Sequence, residues 1–260
     1  MEVFKDIQSM EDDRKIDIDK VGVKNIKYPI VVLDKKGGYQ HTVATVNMYV
    51  NLPHHFKGTH MSRFIEILNK YRADIAVKNL SKILKEMKEK LDAQSAHLHI
   101  EFPYFIEKKA PVSGEPSLME YICTFYGKSS NREDVFLVGV KVPIMTLCPC
   151  SKEISDYGAH NQRGIVSLTV KSKDFVWIED LVEIVEGCAS SPVYALLKRV
   201  DEKFVTENAY RNPAFVEDVV RCVAEKLLRD ENILWFSVEA ENFESIHNHN
   251  AYAYIERSKE

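Results

Sequence analysis

The chain has no apolar run approaching the roughly 20 residues that a membrane-spanning helix needs. It has no Walker loop and no dinucleotide fingerprint, so phosphate binding falls to side chains or helix N-termini. Cysteine is scarce and odd in number, five in all, which argues against a disulfide framework. An excess of one sign of charge is also lacking: the net charge of -4 gives no basis for a nucleic-acid or membrane partner, although a polyanionic ligand could still meet a basic pocket. Residues 1–20 are polar, without the apolar segment of a secretory signal. The expected compartment is therefore the cytoplasm, where thiols stay reduced and serve as metal ligands or nucleophiles.

What is present suits an ordinary folded domain, with 45% apolar and 28% charged residues over 260 positions. Residues 1–20 are expected to form a mobile arm or a partner-bound extension. Residues 21–130 then read as one ββααββ unit. Two β-branched strands flank the turn Asp34 to Gly38. In the second, Ala44, Val46, Met48, Val50 and Leu52 alternate inward. A first helix presents Met61, Phe64, Ile65, Leu68 and Tyr71. A second presents Leu80, Ile83, Leu84, Met87 and Leu91. Two further strands follow, Ser95–Phe105 and Leu118–Tyr126. Residues 131–260 repeat the order. A strand over Val135–Met145 and another over Ile165–Val170 enclose a polar loop. A helix carries Ile178, Leu181, Val182, Val185 and Cys188. A short helix is expected over Pro192–Val200 and a turn or short helical piece over Phe204–Tyr210. A longer helix carries Val216, Val219, Val220, Val223 and Leu227. Strands at Ile233–Ala240 and Ala251–Ile255 close the chain. The fold class is α+β: an antiparallel sheet with helices on one face, whose edges would be covered by pairing between subunits.

The loop Leu147–Gly164 carries the chemistry. Cys148 and Cys150 stand one residue apart, and His160 follows ten residues later. Thiolate and imidazole are common ligands of a divalent metal such as zinc. Further donors come late: Glu202, Glu207, Glu217, Glu244, His247 and His249. The spacing Cys148-Pro149-Cys150 is not that of a zinc ribbon, and a buried turn with incidental cysteines is the plain alternative. Glu217 at a helix start, and Glu202 and Glu207 among charges, also have ordinary explanations. The remaining cysteines, Cys123, Cys188 and Cys222, sit in apolar patterns and read as packing. His97 and His99 share the non-core face of a strand and read as structural.

Five stretches together resemble GTP cyclohydrolase IB: Leu147 to Ser155 with Gly158 to Arg163; Gly58 to Phe64; Asp201 to Glu207; Pro213 to Asp218; and Asn242 to His249. The likeness runs in family order from about Val21 to the C-terminus. It implies a tunnelling fold of two tandem ββααββ units and a homotetramer with interfacial active sites. It implies conversion of GTP and water to formate and 7,8-dihydroneopterin triphosphate, the entry to folate synthesis. It further implies that Cys148, His160 and Glu202 hold one divalent metal (zinc, manganese or iron(II)) and that Glu217 anchors guanine. By the same likeness Glu244 and His247 are acid/base groups. His60, Arg63, Lys152 and Arg163 are the expected triphosphate cations. The alternatives are another tunnelling-fold purine or pterin enzyme, including a cyclohydrolase that ends in a cyclic phosphate, and a non-catalytic metal- or purine-binding protein. The Glu244–His247 pair argues against the last, because a closed metal site needs no acid/base pair.

Overall fold

A computed structural model describes residues 7–8, 10–71 and 77–259. Residues 1–6 and 9 of the expected arm lie outside the described residues. The chain divides into two compact units. One comprises Met1–Phe102 and Thr124–Leu137, the other Pro103–Cys123 and Val138–Glu260.

The first unit contains β1 (Ile18–Leu33), β2 (Tyr39–Leu52), α1 (Met61–Tyr71) and α2 (Val77–Lys90). β3 (Ala96–Lys109), β4 (Pro116–Ser129) and β5 (Asp134–Leu147) contribute to both units. The expected inward set of β2 is buried throughout, from Ala44 to Leu52. Two details of α1 differ from expectation: Met61 and Ile65 are exposed, and Ile67 is buried with Phe64 and Leu68. The buried stripe is therefore set by contact with β1 and α2 and is narrower than the apolar pattern. His97 is buried, lies 3.3 Å from the Tyr126 hydroxyl, and has its pKa lowered by burial. The segment before β1 is tied to the loop after β2: Lys57 N–H donates to the Met10 carbonyl and Gly58 N–H to that of Gln8.

The second unit holds the candidate residues of the loop after β5. It adds α3 (Pro149–Ile154), β6 (Asn161–Ser172), α4 (Ile178–Glu186), β7 (Ser191–Pro192), α5 (Arg199–Arg211), α6 (Val216–Arg229), β8 (Ile233–Asn242) and β9 (Ala251–Ser258). Among the described residues the sheet order is β1-β2-β3-β4-β5-β6-β8-β9, with β7 on β5, and the sheet is antiparallel. α6 covers β8 and β9 with Val216, Val219, Val220, Val223 and Leu227, all buried as expected. The short helix expected at Pro192–Val200 does not form. Ser191 and Pro192 instead pair with Met145 and Ile144, and one helix runs from Arg199 to Arg211.

The start of α5 is fixed by Asp201, which is fully buried. Its carboxylate accepts from the Val112 and Ser113 N–H groups, the Ser113 hydroxyl and the Lys198 N–H, at 2.7–2.9 Å. Burial by itself would raise the Asp201 pKa; these hydrogen bonds outweigh it and hold the carboxyl well below the usual range. The neighbouring Glu202 is thereby carried on an anchored helix end.

The structure also overturns the packing reading of two cysteines. Cys188, just past α4, and Cys222, within α6, form a disulfide with Cα atoms 5.6 Å apart. They lie 34 residues apart, each inside an apolar pattern, so spacing alone carried no sign of the pair. The bridge closes the segment that contains both Glu202 and Glu217.

Two outcomes are expected. Cys188→Ser loses the cross-link on a 34-residue loop, which is worth roughly 3–4 kcal/mol by loop-closure entropy. Its thermal midpoint should fall by several degrees, with the same drop in wild type on adding reductant. Asp201→Asn should lower the midpoint at neutral pH. The depressed wild-type carboxylate contributes its stability above its ordinary value of 3.8 and loses it as pH falls below that, so the two melting curves should converge in acid.

Candidate active site

The site is built on the end of the β5–β6 hairpin. The ladder pairs Thr146 with Gln162 and Leu147 with Asn161. One further bond, Cys148 N–H to the His160 carbonyl at 3.0 Å, closes the loop at its neck. Pro149 then opens α3, where its missing N–H costs nothing. Cys148 is the residue before the helix, and its sulfur accepts the Ser151 N–H at 3.4 Å. The Ser151 hydroxyl accepts the His160 N–H at 3.2 Å. The eleven residues between them, 149–159, thus bring a thiol and an imidazole to one place. Cys150 is free and exposed.

A second segment lies across the first. Ala214 N–H donates to the Leu147 carbonyl at 3.1 Å, so the link from α5 to α6 passes over the end of β5. Asp218 accepts the Phe215 N–H at 3.0 Å and starts α6 there. Glu217 sits in the first turn, exposed. A third segment is the β8–β9 loop. Phe243 N–H donates to the Arg163 carbonyl at 2.9 Å, and the Asn250 amide donates to Glu241 at 2.6 Å, which closes the loop base. Between these bonds lie Glu244, half-buried, and His247 and His249, whose rings stack at 5.0 Å.

These segments enclose a pocket of about 320 Å³ lined by Cys148, His160, Gln162, Ala214–Glu217, Asn242, Glu244, His247, His249, Ala251 and Tyr252. Gly164 allows the strands to approach at its wall: a Cβ there would lie 2.5 Å from the Asn242 Oδ1 and 2.8 Å from the Glu241 carbonyl. That Oδ1 is buried without a hydrogen-bond partner among the described residues. Six of the residues singled out in the sequence therefore meet: Cys148, His160, Glu217, Glu244, His247 and His249.

The others stand apart. Glu202 is exposed on α5 and does not line this pocket. Among the described residues no three His, Cys, Asp or Glu side chains form a group able to hold a metal. Glu207 is paired with Arg211 at 3.1 Å and borders a separate cavity of about 500 Å³ between the α3–β6 loop and α5. Lys152 donates to the Tyr210 carbonyl at 2.6 Å and lies over the Tyr210 ring. Arg163 is exposed on β6. His60 and Arg63 belong to the first unit, where Arg63 donates to the Lys90 carbonyl at 2.8 Å.

Gln162 and Tyr252 are among the pocket residues not singled out in the sequence. Gln162 had a legible signal. It shares the inward phase of Gly164, Val166 and Leu168 on β6, and a polar residue in such a column calls for partners. It has them: its amide donates to the Thr146 hydroxyl at 2.8 Å, and its Oε1 lies 3.0 Å from the His160 Nδ1.

The donor chemistry fits a divalent ion. The Cys148 sulfur accepts a backbone N–H, and sulfur of this kind is a common ligand of such an ion. An Nδ1 engaged by Gln162 leaves the other ring nitrogen of His160 to donate.

The comparisons agree with this geometry. The sequence matches the family described as "Type I GTP cyclohydrolase folE2" over residues 4–253. It is 67% identical over 254 residues to the GTP cyclohydrolase FolE2 of Geotalea uraniireducens, covering 98% of this chain and 93% of the relative. It is 64% identical over 259 residues to that of Geobacter metallireducens, covering 100% and 99%. In structure it is similar to the uricase of Arthrobacter globiformis, with TM-score 0.53 and 10% identity over 93% of this chain and 94% of that one. It is also similar to the urate oxidase of Bacillus subtilis 168, with TM-score 0.53 and 8% identity over 92% and 98%. At such identity these two show the tunnelling fold alone. The chain belongs to the type I GTP cyclohydrolase FolE2 family.

Proposed function

We propose that the pocket between the β5–β6 loop, the start of α6 and the β8–β9 loop is where this GTP cyclohydrolase opens the imidazole ring of guanine. The overall reaction converts GTP and water to formate and 7,8-dihydroneopterin triphosphate, the first step of folate biosynthesis. The observation that carries the assignment is the convergence of Cys148, His160, Glu217, Glu244 and His247 on one pocket.

Ring opening needs water added at C8, a proton delivered to the departing ring nitrogen, and release of the C8 carbon as formate. Glu217 suits the guanine edge. Its carboxylate can accept the N1–H and the 2-amino group together, two parallel bonds that adenine does not offer. Glu244 and His247 are three residues apart on one loop wall, and a carboxylate beside an imidazole suits proton transfer near neutral pH. Cys148 and His160, with Glu202, are our assignment for one divalent ion, zinc, manganese or iron(II). When bound, such an ion supplies the Lewis acidity that makes water a nucleophile near pH 7. Glu202 is exposed, and its carboxylate has no partner among the described residues.

Triphosphate cations are drawn from Arg163, Lys152, His60 and Arg63. We further assign a homotetramer with interfacial sites. The outer edges of β1 and β9 and the exposed rings of Tyr252 and Tyr254 support pairing with a second copy. No helix among the described residues is long and apolar enough to cross a membrane, and cytoplasmic residence is the matching assignment.

Two variants test the reading. Cys148→Ala should abolish formate release and lower bound metal, with unchanged far-UV circular dichroism; normal turnover would remove Cys148 from the site. Glu217→Gln should cut kcat/KM for GTP about 100-fold, the loss of a charge-assisted fork, with metal content intact. Unchanged kinetics would end the guanine-anchor role.

A further inference from the structure

We propose that Gln162 is a positioning residue that fixes which ring nitrogen of His160 carries hydrogen and which way the ring faces. The role of His160 as a donor rests on the reading above; the positioning itself does not.

Gln162 opposes Thr146 in the β5–β6 ladder, and both are buried. The residues that follow in its inward column, Gly164, Val166, Leu168 and Val170, are apolar or lack a side chain. A carboxamide there loses hydration and must be bonded at both ends to be tolerated. Its NH2 group is taken by the Thr146 hydroxyl at 2.8 Å. The carbonyl end is thereby turned to the His160 Nδ1 at 3.0 Å, and a carbonyl oxygen can only accept. Nδ1 must then bear the hydrogen, and Nε2 keeps its lone pair. The His160 backbone is held as well, its N–H by the Ser151 hydroxyl and its carbonyl by the Cys148 N–H. With backbone and ring both fixed, the chain Thr146–Gln162–His160 runs from the sheet interior to the pocket. The Ser245 hydroxyl lies 3.5 Å from the same Nδ1, so the loop bearing Glu244 and His247 reaches the same hydrogen. A glutamine whose role was only to fill the β6 column would have no need to face an imidazole.

The test is long-range proton–nitrogen NMR on the full-length, metal-free, 15N-labelled protein at pH 8, with His160 identified by the signals lost in His160→Gln. Wild type should show hydrogen on the His160 Nδ1. Gln162→Leu, similar in size but with no acceptor, should shift His160 toward the Nε2–H form. Gln162→Glu should restore the wild-type pattern. An Nε2–H form in wild type, or no change in Gln162→Leu, would overturn the proposal. Thr146→Val removes the buried anchor without touching Gln162 and should give a mixture of the two forms. It carries the same test if Gln162→Leu does not fold, and an unaltered His160 in Thr146→Val would then overturn the proposal. A chelator competition with zinc gives a second readout: Gln162→Leu should bind 10- to 100-fold more weakly, and Gln162→Glu near wild type. If the NMR pattern holds but His160→Gln binds zinc normally, the metal reading of His160 fails and the positioning stands.

Discussion

The hydrogen bond from Cys148 N–H to the His160 carbonyl is the constraint on which the site depends. It extends the β5–β6 ladder one step past its last strand pair and closes the neck of an eleven-residue loop. The strand pair ends at Leu147 and Asn161, so without it the thiol and the imidazole are the first residues of an open turn. With it, both are carried by the stiffest part of the unit, an antiparallel pair whose inward residues from Val138 to Ile144 and from Val166 to Val170 are almost all fully buried. The same strand end receives the Ala214 N–H through the Leu147 carbonyl, so the start of α6, which carries Glu217, is referenced to the same point. A site that must hold reacting groups within fractions of an ångström is best built on such elements rather than on free loops.

The second support is indirect. α5 and α6 carry Glu202 and Glu217, and three devices hold the segment between them. Asp201 ties the start of α5 to the tip of the β3–β4 hairpin, Asp218 starts α6, and the Cys188–Cys222 bridge closes the whole stretch. Asp201 and Glu202 are adjacent and chemically alike, yet one is fully buried and the other exposed. The buried acid is structural, because four hydrogen-bond donors converge on it; the exposed one has no such obligation and is available to a ligand.

Much of this was legible in the sequence. Period-two alternation placed β2 correctly, and the valine stripe of α6 placed that helix on the sheet. The fold class followed from the repeated strand and helix order. The proximity of Cys148 and His160 was legible because both fell in one hairpin turn. What was not legible depended on distance along the chain or on hydrogen bonding. Cys188 and Cys222 each looked like a core residue, and no local pattern pairs residues 34 apart. Asp201 looked like one charge among many. The α5 boundaries were misjudged because Pro192 pairs with β5 and the helix begins only where Lys198 N–H meets Asp201. Gln162 was present in the recognised motif, but its partners became visible only with the β5 register.

The central claim is that this chain opens the guanine ring, and that it does so only with a divalent ion bound. The most direct measurement is to incubate metal-reconstituted protein with GTP carrying 13C at C8, following formate by NMR and the pterin by fluorescence after oxidation. The account predicts labelled formate and pterin in equal amounts, both lost on chelation and restored by adding metal back. No formate and no pterin with zinc, manganese and iron(II) each supplied in turn would contradict it.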